Sequence, residues 1–302
     1  MPGALGMKIS NEINRFLRAF GVQLVRTKTL DQLLPRASED MNVATDVMGG
    51  VADYFDTTVP PGWEDPLAVL RTKWGEIPAG DRRQSSGQLL RLSDRDLLTE
   101  WERARDVDTQ DLGFDVHGWY HELYRPVMPG KRVLDVGCGM ALSTLTFAEM
   151  GARLTFIDII PENIELVRRL CKIKQIDADF LTIDSLKDFD QLPEFDVVAA
   201  IGSLINAPLA ITRLEVDRLK MHLRPGGRWL HLAYPKSRWE QEGRIEFAKW
   251  GEHTDGPGTP WMEYHDRSKM TWLFEPSVIR ILFECEWHDR AFNWFDIELV
   301  NN

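Results

Sequence analysis

The sequence predicts an α/β fold, a parallel sheet with helices on both faces and an antiparallel closing strand. Three observations carry this. From Arg132 onward, apolar runs of strand length alternate with amphipathic runs of helix length, the pattern of repeated strand–crossover–strand units. The apolar run 133–136 passes through glycines straight into a helical stretch. The 302 residues are 43% hydrophobic and 27% charged, which suits a full core and excludes a disordered or fibrous chain.

Taken in order, strands are expected at 132–136, 153–158, 179–183, 195–201 and 227–233, with helices at 142–150, 161–173 and 207–223. After Tyr234 comes a long excursion to about Glu275, then a helix at 276–284 and two closing strands at 285–291 and 294–299. Upstream, 56–88 holds Pro60, Pro61, Gly62, Pro66, Pro78 and Gly80 and reads as irregular connection. Ser93 followed by Asp96 opens a helix with a capping-box pattern, and a short helix is expected at 116–127. The organisation expected is an N-terminal helical and irregular extension over 1–114 and an α/β domain over 115–302. That domain carries an aromatic-rich insertion, 234–275, after its fifth strand.

Charge and cysteine use exclude several functions. A net charge of −11 argues against a duplex nucleic-acid partner. Cys138, Cys171 and Cys285 are too few for a disulfide framework and lack the paired spacing of a structural zinc site; His253, Asp255, Glu263, His265 and Asp266 could gather a divalent ion but have no diagnostic spacing, so no metal is expected. With no apolar run of ~18 residues and no signal peptide, the expected location is the cytoplasm. One segment departs from the acidic average. Within 8–28, Lys8, Arg15, Arg18, Arg26 and Lys28 face one acid, Glu12, and Ile9, Ile13, Phe16, Leu17, Phe20 and Leu24 recur at helical spacing. This basic amphipathic helix either docks on an anionic membrane or partner, or packs on its own core with a solvated face.

The informative stretch is Val133-Leu134-Asp135-Val136-Gly137-Cys138-Gly139. Gly137 and Gly139 let backbone approach a ligand, and the helix that follows presents unpaired N–H groups. Nineteen residues beyond Gly139, the second strand ends at Asp158, an acid placed to accept hydrogen bonds from a ribose diol. A dinucleotide site would need G-x-G-x-x-G, but Leu142 stands where the third glycine belongs, and the Asp135 carboxylate would repel a pyrophosphate.

These residues resemble motif I of the class I S-adenosylmethionine-dependent methyltransferases, whose fold is Rossmann-like. The resemblance extends to Asp158 with Ile159 at the ribose position. It continues at Asp184 and Ser185, where the family recognises adenine, and at Ile201, Gly202 and Ser203, which line the methionine part. It also takes in the turn Leu223-Arg224-Pro225-Gly226-Gly227 before the fifth strand. The match covers about 115–233 and the final strands. Ala141 departs from the pattern, standing where the family has a third glycine, a substitution that bears on the local backbone angle. The resemblance implies S-adenosyl-L-methionine bound by Asp135, Gly137, Cys138, Gly139, Asp158, Ile159, Asp184, Ser185, Ile201, Gly202 and Ser203.

The acceptor is read from what surrounds that motif. The end of the fourth strand, Ile201 to Asn206, lacks the Asn/Asp-Pro-Pro-aromatic motif of nucleobase amino methyltransferases. Between 229 and 295 there are 14 aromatic residues, about twice the density of the whole chain. They suit either a lid and acceptor pocket or an aromatic packing subdomain. His253 and His265, each beside carboxylates, are the candidate general bases, against a plain surface or structural role. The expected reaction is O-methylation of a small-molecule or glycan hydroxyl; the alternatives are N- or carboxyl-methylation, or a non-catalytic cofactor-binding partner protein. The order Ser203 to Pro208, Tyr234 to Trp239, Thr259 to Trp261 and Phe292 to Asp296 resembles a bacterial subgroup of this family and, with the basic N-terminal segment, implies secondary-metabolite or polysaccharide biosynthesis.

Overall fold

The computed structural model describes residues 55–79, 82–110, 118–287 and 291–301. The expected basic helix 8–28 lies outside them. A seven-stranded sheet runs in the order β5-β4-β3-β6-β7-β9-β8. Its strands are β3 (Arg132–Val136), β4 (Arg153–Asp158), β5 (Ala178–Thr182), β6 (Phe195–Ile201), β7 (Leu223–Ala233), β8 (Val278–Trp287) and β9 (Phe292–Asn301). β3 to β7 are parallel, and β9 pairs antiparallel with β7 and with β8. The chain steps outward from β3 to β5, then returns to β6 on the other side of β3. Right-handed crossovers in opposite directions put their helices on opposite faces and leave a crevice at the carboxyl ends of β3 and β6.

Before the sheet come α1 (Pro66–Trp74), the hairpin β1 (Glu76–Ala79) and β2 (Arg82–Ser85), α2 (Ser86–Leu89), α3 (Asp94–Gln110) and α4 (Gly118–Tyr124). The irregular connection expected at 56–88 is thus largely ordered, because its prolines sit where proline is tolerated. Pro66 occupies the first helical turn after Asp65, whose side chain accepts from the Ala68 N–H, and Pro78 lies on a two-stranded hairpin. α3 starts as expected, with the Ser93 hydroxyl accepting from the Asp96 N–H. Trp101 on α3 is fully buried and donates from its indole N–H to the Met140 carbonyl at 3.0 Å, fixing this helix to the glycine loop.

The crossover elements are α5 (Thr144–Glu149), α6 (Pro161–Lys174), a 3-10 turn (Leu186–Gln191) and α7 (Leu209–Leu219). The excursion after β7 holds α8 (Lys236–Gln241), α9 (Phe247–Asp255) and α10 (Arg267–Phe274). The helix expected at 276–284 is instead the strand β8. Helical backbone ends earlier, because Pro276 disfavours it at Glu275. A register shift between Ile281 and Phe283 breaks the two-residue alternation that would have marked a strand. Among the described residues no helix is long and apolar enough to cross a membrane.

Candidate functional site

The carboxyl ends of β3, β4 and β6 open on a cavity of about 500 Å³. Asp135, on β3, is buried and takes a 2.5 Å hydrogen bond from the Thr144 hydroxyl at the start of α5. Burial raises its pKa to about 7, opposed by that hydrogen bond and assisted by the nearby Asp158. Asp158, at the end of β4, is buried too. Its carboxylate accepts from the N–H of Gly139 at 3.0 Å, the N–H of Ile160 at 2.9 Å and the Asn163 amide at 3.1 Å. Burial again raises its pKa, against those donors. The Cys138 thiol lies 3.8 Å from Oδ2 as a fourth, weaker donor, so three of the four donors fall on Oδ2 and Oδ1, holding only the Ile160 N–H, has room for another.

Between the two acids the loop is held tightly. The N–H groups of Gly137 and Cys138 donate to the Ile157 carbonyl at 2.9 and 3.2 Å. Gly137 has φ +69°, and a Cβ there would lie 2.8 Å from the Ser203 Cβ, so only glycine fits. Ser203 in turn donates to the Val136 carbonyl. Ala141 has φ +51°, the left-handed backbone that the family's glycine adopts freely and alanine adopts at a cost.

Nine of the eleven residues expected at the cofactor, namely Asp135, Gly137, Cys138, Gly139, Asp158, Ile159, Ile201, Gly202 and Ser203, line this cavity. Asp184 and Ser185 are not among its lining residues. The Asp184 side chain is 82% exposed and lies 3.5 Å from Arg71, while the N–H groups of Asp184 and Ser185 both donate to Asp188, capping the 3-10 turn. Arg71 also donates to the carbonyls of Ile159 (3.1 Å) and Ile183 (2.7 Å), so α1 straps across the ends of β4 and β5. Leu70 and Trp74 of α1 and Ile77 of the hairpin complete that wall.

A second set of lining residues comes from Arg83, Asn206, Tyr234, Thr254, Asp255 and Phe292. The Tyr234 hydroxyl donates to Asp255 Oδ1 at 2.9 Å, the Asn206 amide lies 3.4 Å from Oδ2, and the Arg83 guanidinium is 4.0 Å from Oδ1. Burial pushes the Asp255 carboxyl upward, against these partners. None of the six belongs to the cofactor motifs; Tyr234 and Phe292 fall within the aromatic-rich stretch 229–295, Asn206 ends the fourth-strand segment, and Asp255 lies in Glu252-His253-Thr254-Asp255.

Neither histidine expected as a base is at the cavity. His253 has a half-exposed ring 3.7 Å from Glu242, two positions before Asp255 and therefore on another side of α9. His265 is fully buried, with Nδ1 2.7 Å from Nε2 of His231 in a stacked pair, and burial depresses its pKa far below the usual range. Glu263 is sealed away as well, ion-paired with Lys269, and Asp266 caps α10. Among the described residues no cluster of three or more histidine, cysteine or carboxylate side chains is arranged to hold a metal ion.

Residues 133–227 match the family described as methyltransferase domain. With the strand order and the glycine loop between Asp135 and Asp158, this makes the segment a class I S-adenosylmethionine-dependent methyltransferase domain with a Rossmann-like fold. The ubiquinone biosynthesis O-methyltransferase of Xanthomonas campestris pv. campestris is 36% identical over 107 residues, 34% of this chain and 43% of its own length. The protein of that name from Idiomarina loihiensis is 37% identical over 103 residues, 33% of this chain and 40% of its own. The chain thus spans about two-fifths of the length of these curated relatives. Among solved structures, magnesium protoporphyrin IX methyltransferase from Synechocystis, with bound S-adenosylhomocysteine, is 17% identical. That similarity covers 60% of this chain and 80% of the other, with a TM-score of 0.46.

Proposed function

We propose that the protein transfers a methyl group from S-adenosylmethionine to a hydroxyl of a small molecule, and that Asp255 takes up the hydroxyl proton. The observation that carries this is the meeting, in one cavity, of the glycine loop with its two buried acids and the Asp255–Tyr234 pair. The tight Gly137 turn and the free acceptor capacity of Asp158 fit a ribose and an amino-acid tail. When bound, the cofactor supplies a methyl group already activated on a sulfonium.

The chain's own work is alignment, exclusion of water and proton removal. Asp135 and Asp158 fix the two polar ends of the cofactor, and α1 with the β1–β2 hairpin covers the strand-end loops. With the cofactor held by Asp135, the glycine loop and Asp158, the acceptor oxygen would take the methyl group while the sulfur would keep the electron pair of the broken bond and leave as S-adenosylhomocysteine. The proton passes to the Asp255 carboxylate. Tyr234 and Asn206 orient that carboxylate, and its raised pKa makes it a better base than an exposed aspartate. The O-methyltransferase names of the curated relatives support oxygen as the nucleophile.

The test is a set of matched acceptors, namely phenols, catechols, aliphatic alcohols and sugars beside amines and carboxylic acids, read as S-adenosylhomocysteine formed and product methylated. Methylation at oxygen is expected, with small-molecule hydroxyls ahead of sugars. Products methylated only at nitrogen or carboxylate would replace the reading. Tight cofactor binding with no turnover across the whole set would leave a cofactor-binding partner protein.

A further inference from the structure

The cavity holds a third buried carboxyl that no motif announces. Glu215, on α7, is 5% exposed and lines the cavity. No hydrogen bond or ion pair within the described residues reaches it, and its pKa, raised by burial alone, stands at about 8. It is therefore a neutral acid near pH 7, with an O–H to donate and a carbonyl oxygen to accept. A buried polar group without partners is a net cost to the fold, so its persistence at the wall of a binding cavity calls for a ligand partner.

Its position narrows that partner. Ile211, one turn earlier on the same face of α7, packs with Leu70 and Ala207, against which Ile159 and Trp74 rest. α7 also packs on the 3-10 turn, whose Phe189 lines the cavity together with Ile183. Glu215 thus belongs to the end of the cavity walled by Ile159, Ile183 and Phe189, apolar surfaces suited to the faces of a flat ring. This is also the end from which Asp184, the carboxylate that the family resemblance assigns to adenine, is turned away toward Arg71.

We infer that Glu215 reads the adenine of the cofactor in place of Asp184, its carbonyl oxygen accepting from the exocyclic amine and its hydroxyl donating to a ring nitrogen. The inference rests on the S-adenosylmethionine reading above and adds a residue outside every recognised motif. Glutamine offers the same donor and acceptor without titrating, whereas leucine offers neither.

The experiment is calorimetric titration of the full chain and its variants with two ligands. One is S-adenosylhomocysteine; the other is 5′-methylthioadenosine, which keeps the base and ribose but lacks the amino acid. Glu215→Leu and Glu215→Ala should weaken both ligands by the same factor, about 10- to 100-fold. Glu215→Gln should stay within about 3-fold of wild type. Melting curves of the free proteins accompany the titrations, since a purely structural glutamate would alter melting and leave both affinities unchanged. Unaltered affinity in the folded leucine or alanine variant overturns the inference, as does a glutamine variant that loses as much as leucine. Wild-type protein that binds neither ligand overturns the cofactor reading and this inference together, so the two failures are distinct.

Discussion

At the ends of β3, β4 and β6 the cavity is walled by short sequence motifs: a glycine loop, a strand-end carboxylate taking three N–H donors, and a serine closing on the Val136 carbonyl. On its other side it is walled by side chains from five separate places, Arg83, Asn206, Tyr234, Asp255 and Phe292. The first wall is dictated locally, since a left-handed backbone and a ring of N–H donors follow from neighbouring residues. The second exists only once the excursion after β7 has folded back on the sheet. On the proposed function, a fixed cofactor wall beside a side-chain-built acceptor wall would let one fold serve many acceptors.

Removing the support of the excursion should separate the two walls most sharply. Lys269 and Glu263 are an ion pair enclosed beneath the excursion, with Lys269 3.3 Å from the centroid of the Tyr264 ring. Lys269→Met strands the Glu263 carboxylate and should cost about 3–5 kcal/mol in denaturant unfolding. S-adenosylhomocysteine affinity should change far less than stability, and loss of both in parallel would mean that the walls are not separable.

The next effect is a pH dependence. In the folded protein burial lifts Glu215 from 4.5 to about 8, so the native state holds a proton that the unfolded chain releases near the lower value. Its contribution to stability is complete below the unfolded pKa and is lost as pH rises through about 8. Glu215→Gln should therefore gain on wild type by on the order of 3 kcal/mol between about pH 5 and about pH 9, measured on ligand-free protein. A pH-independent difference would contradict the buried, unpaired carboxyl.

At the second wall, Asp255→Asn should lower kcat by about 100-fold, equivalent to ~2.7 kcal/mol, with S-adenosylhomocysteine affinity within about 2-fold of wild type. A fall in cofactor affinity as large as the fall in kcat would move Asp255 to the first wall. Within that first wall the smallest effect is expected, because Ala141→Gly relieves a left-handed alanine and should raise stability by about 1 kcal/mol in denaturant unfolding. A loss of stability would mean that packing of the Ala141 methyl outweighs the backbone strain.

The same contrast explains what could be read in the sequence. β3, β4 and β6 have the bounds that their apolar runs predict, and the glycine loop with Asp135 and Asp158 stands where spacing placed it. Asp184 was legible as a strand-end acid, but its outward turn depends on Arg71, 113 residues away in sequence. Pro66 reads as a breaker until Asp65 is seen capping the helix that it begins. β8 reads as helix because its register shift disguises the strand period. His253 and His265 drew attention as the titratable residues nearest neutrality, yet exposure of one and enclosure of the other are tertiary facts. Glu215 left no local signal, since a single glutamate on an amphipathic helix is ordinary in sequence; Tyr234 and Asp255 stood in the aromatic-rich stretch, but their pairing is a tertiary fact.

The central claim is that the cavity at the ends of β3, β4 and β6 holds S-adenosylmethionine. Its most direct test is calorimetric titration of purified protein with S-adenosylhomocysteine, after any cofactor carried through purification has been identified and removed. Saturable one-to-one binding with micromolar or tighter affinity is the predicted result. A folded, cofactor-free protein that shows no heat of binding and no shift in melting temperature would contradict it.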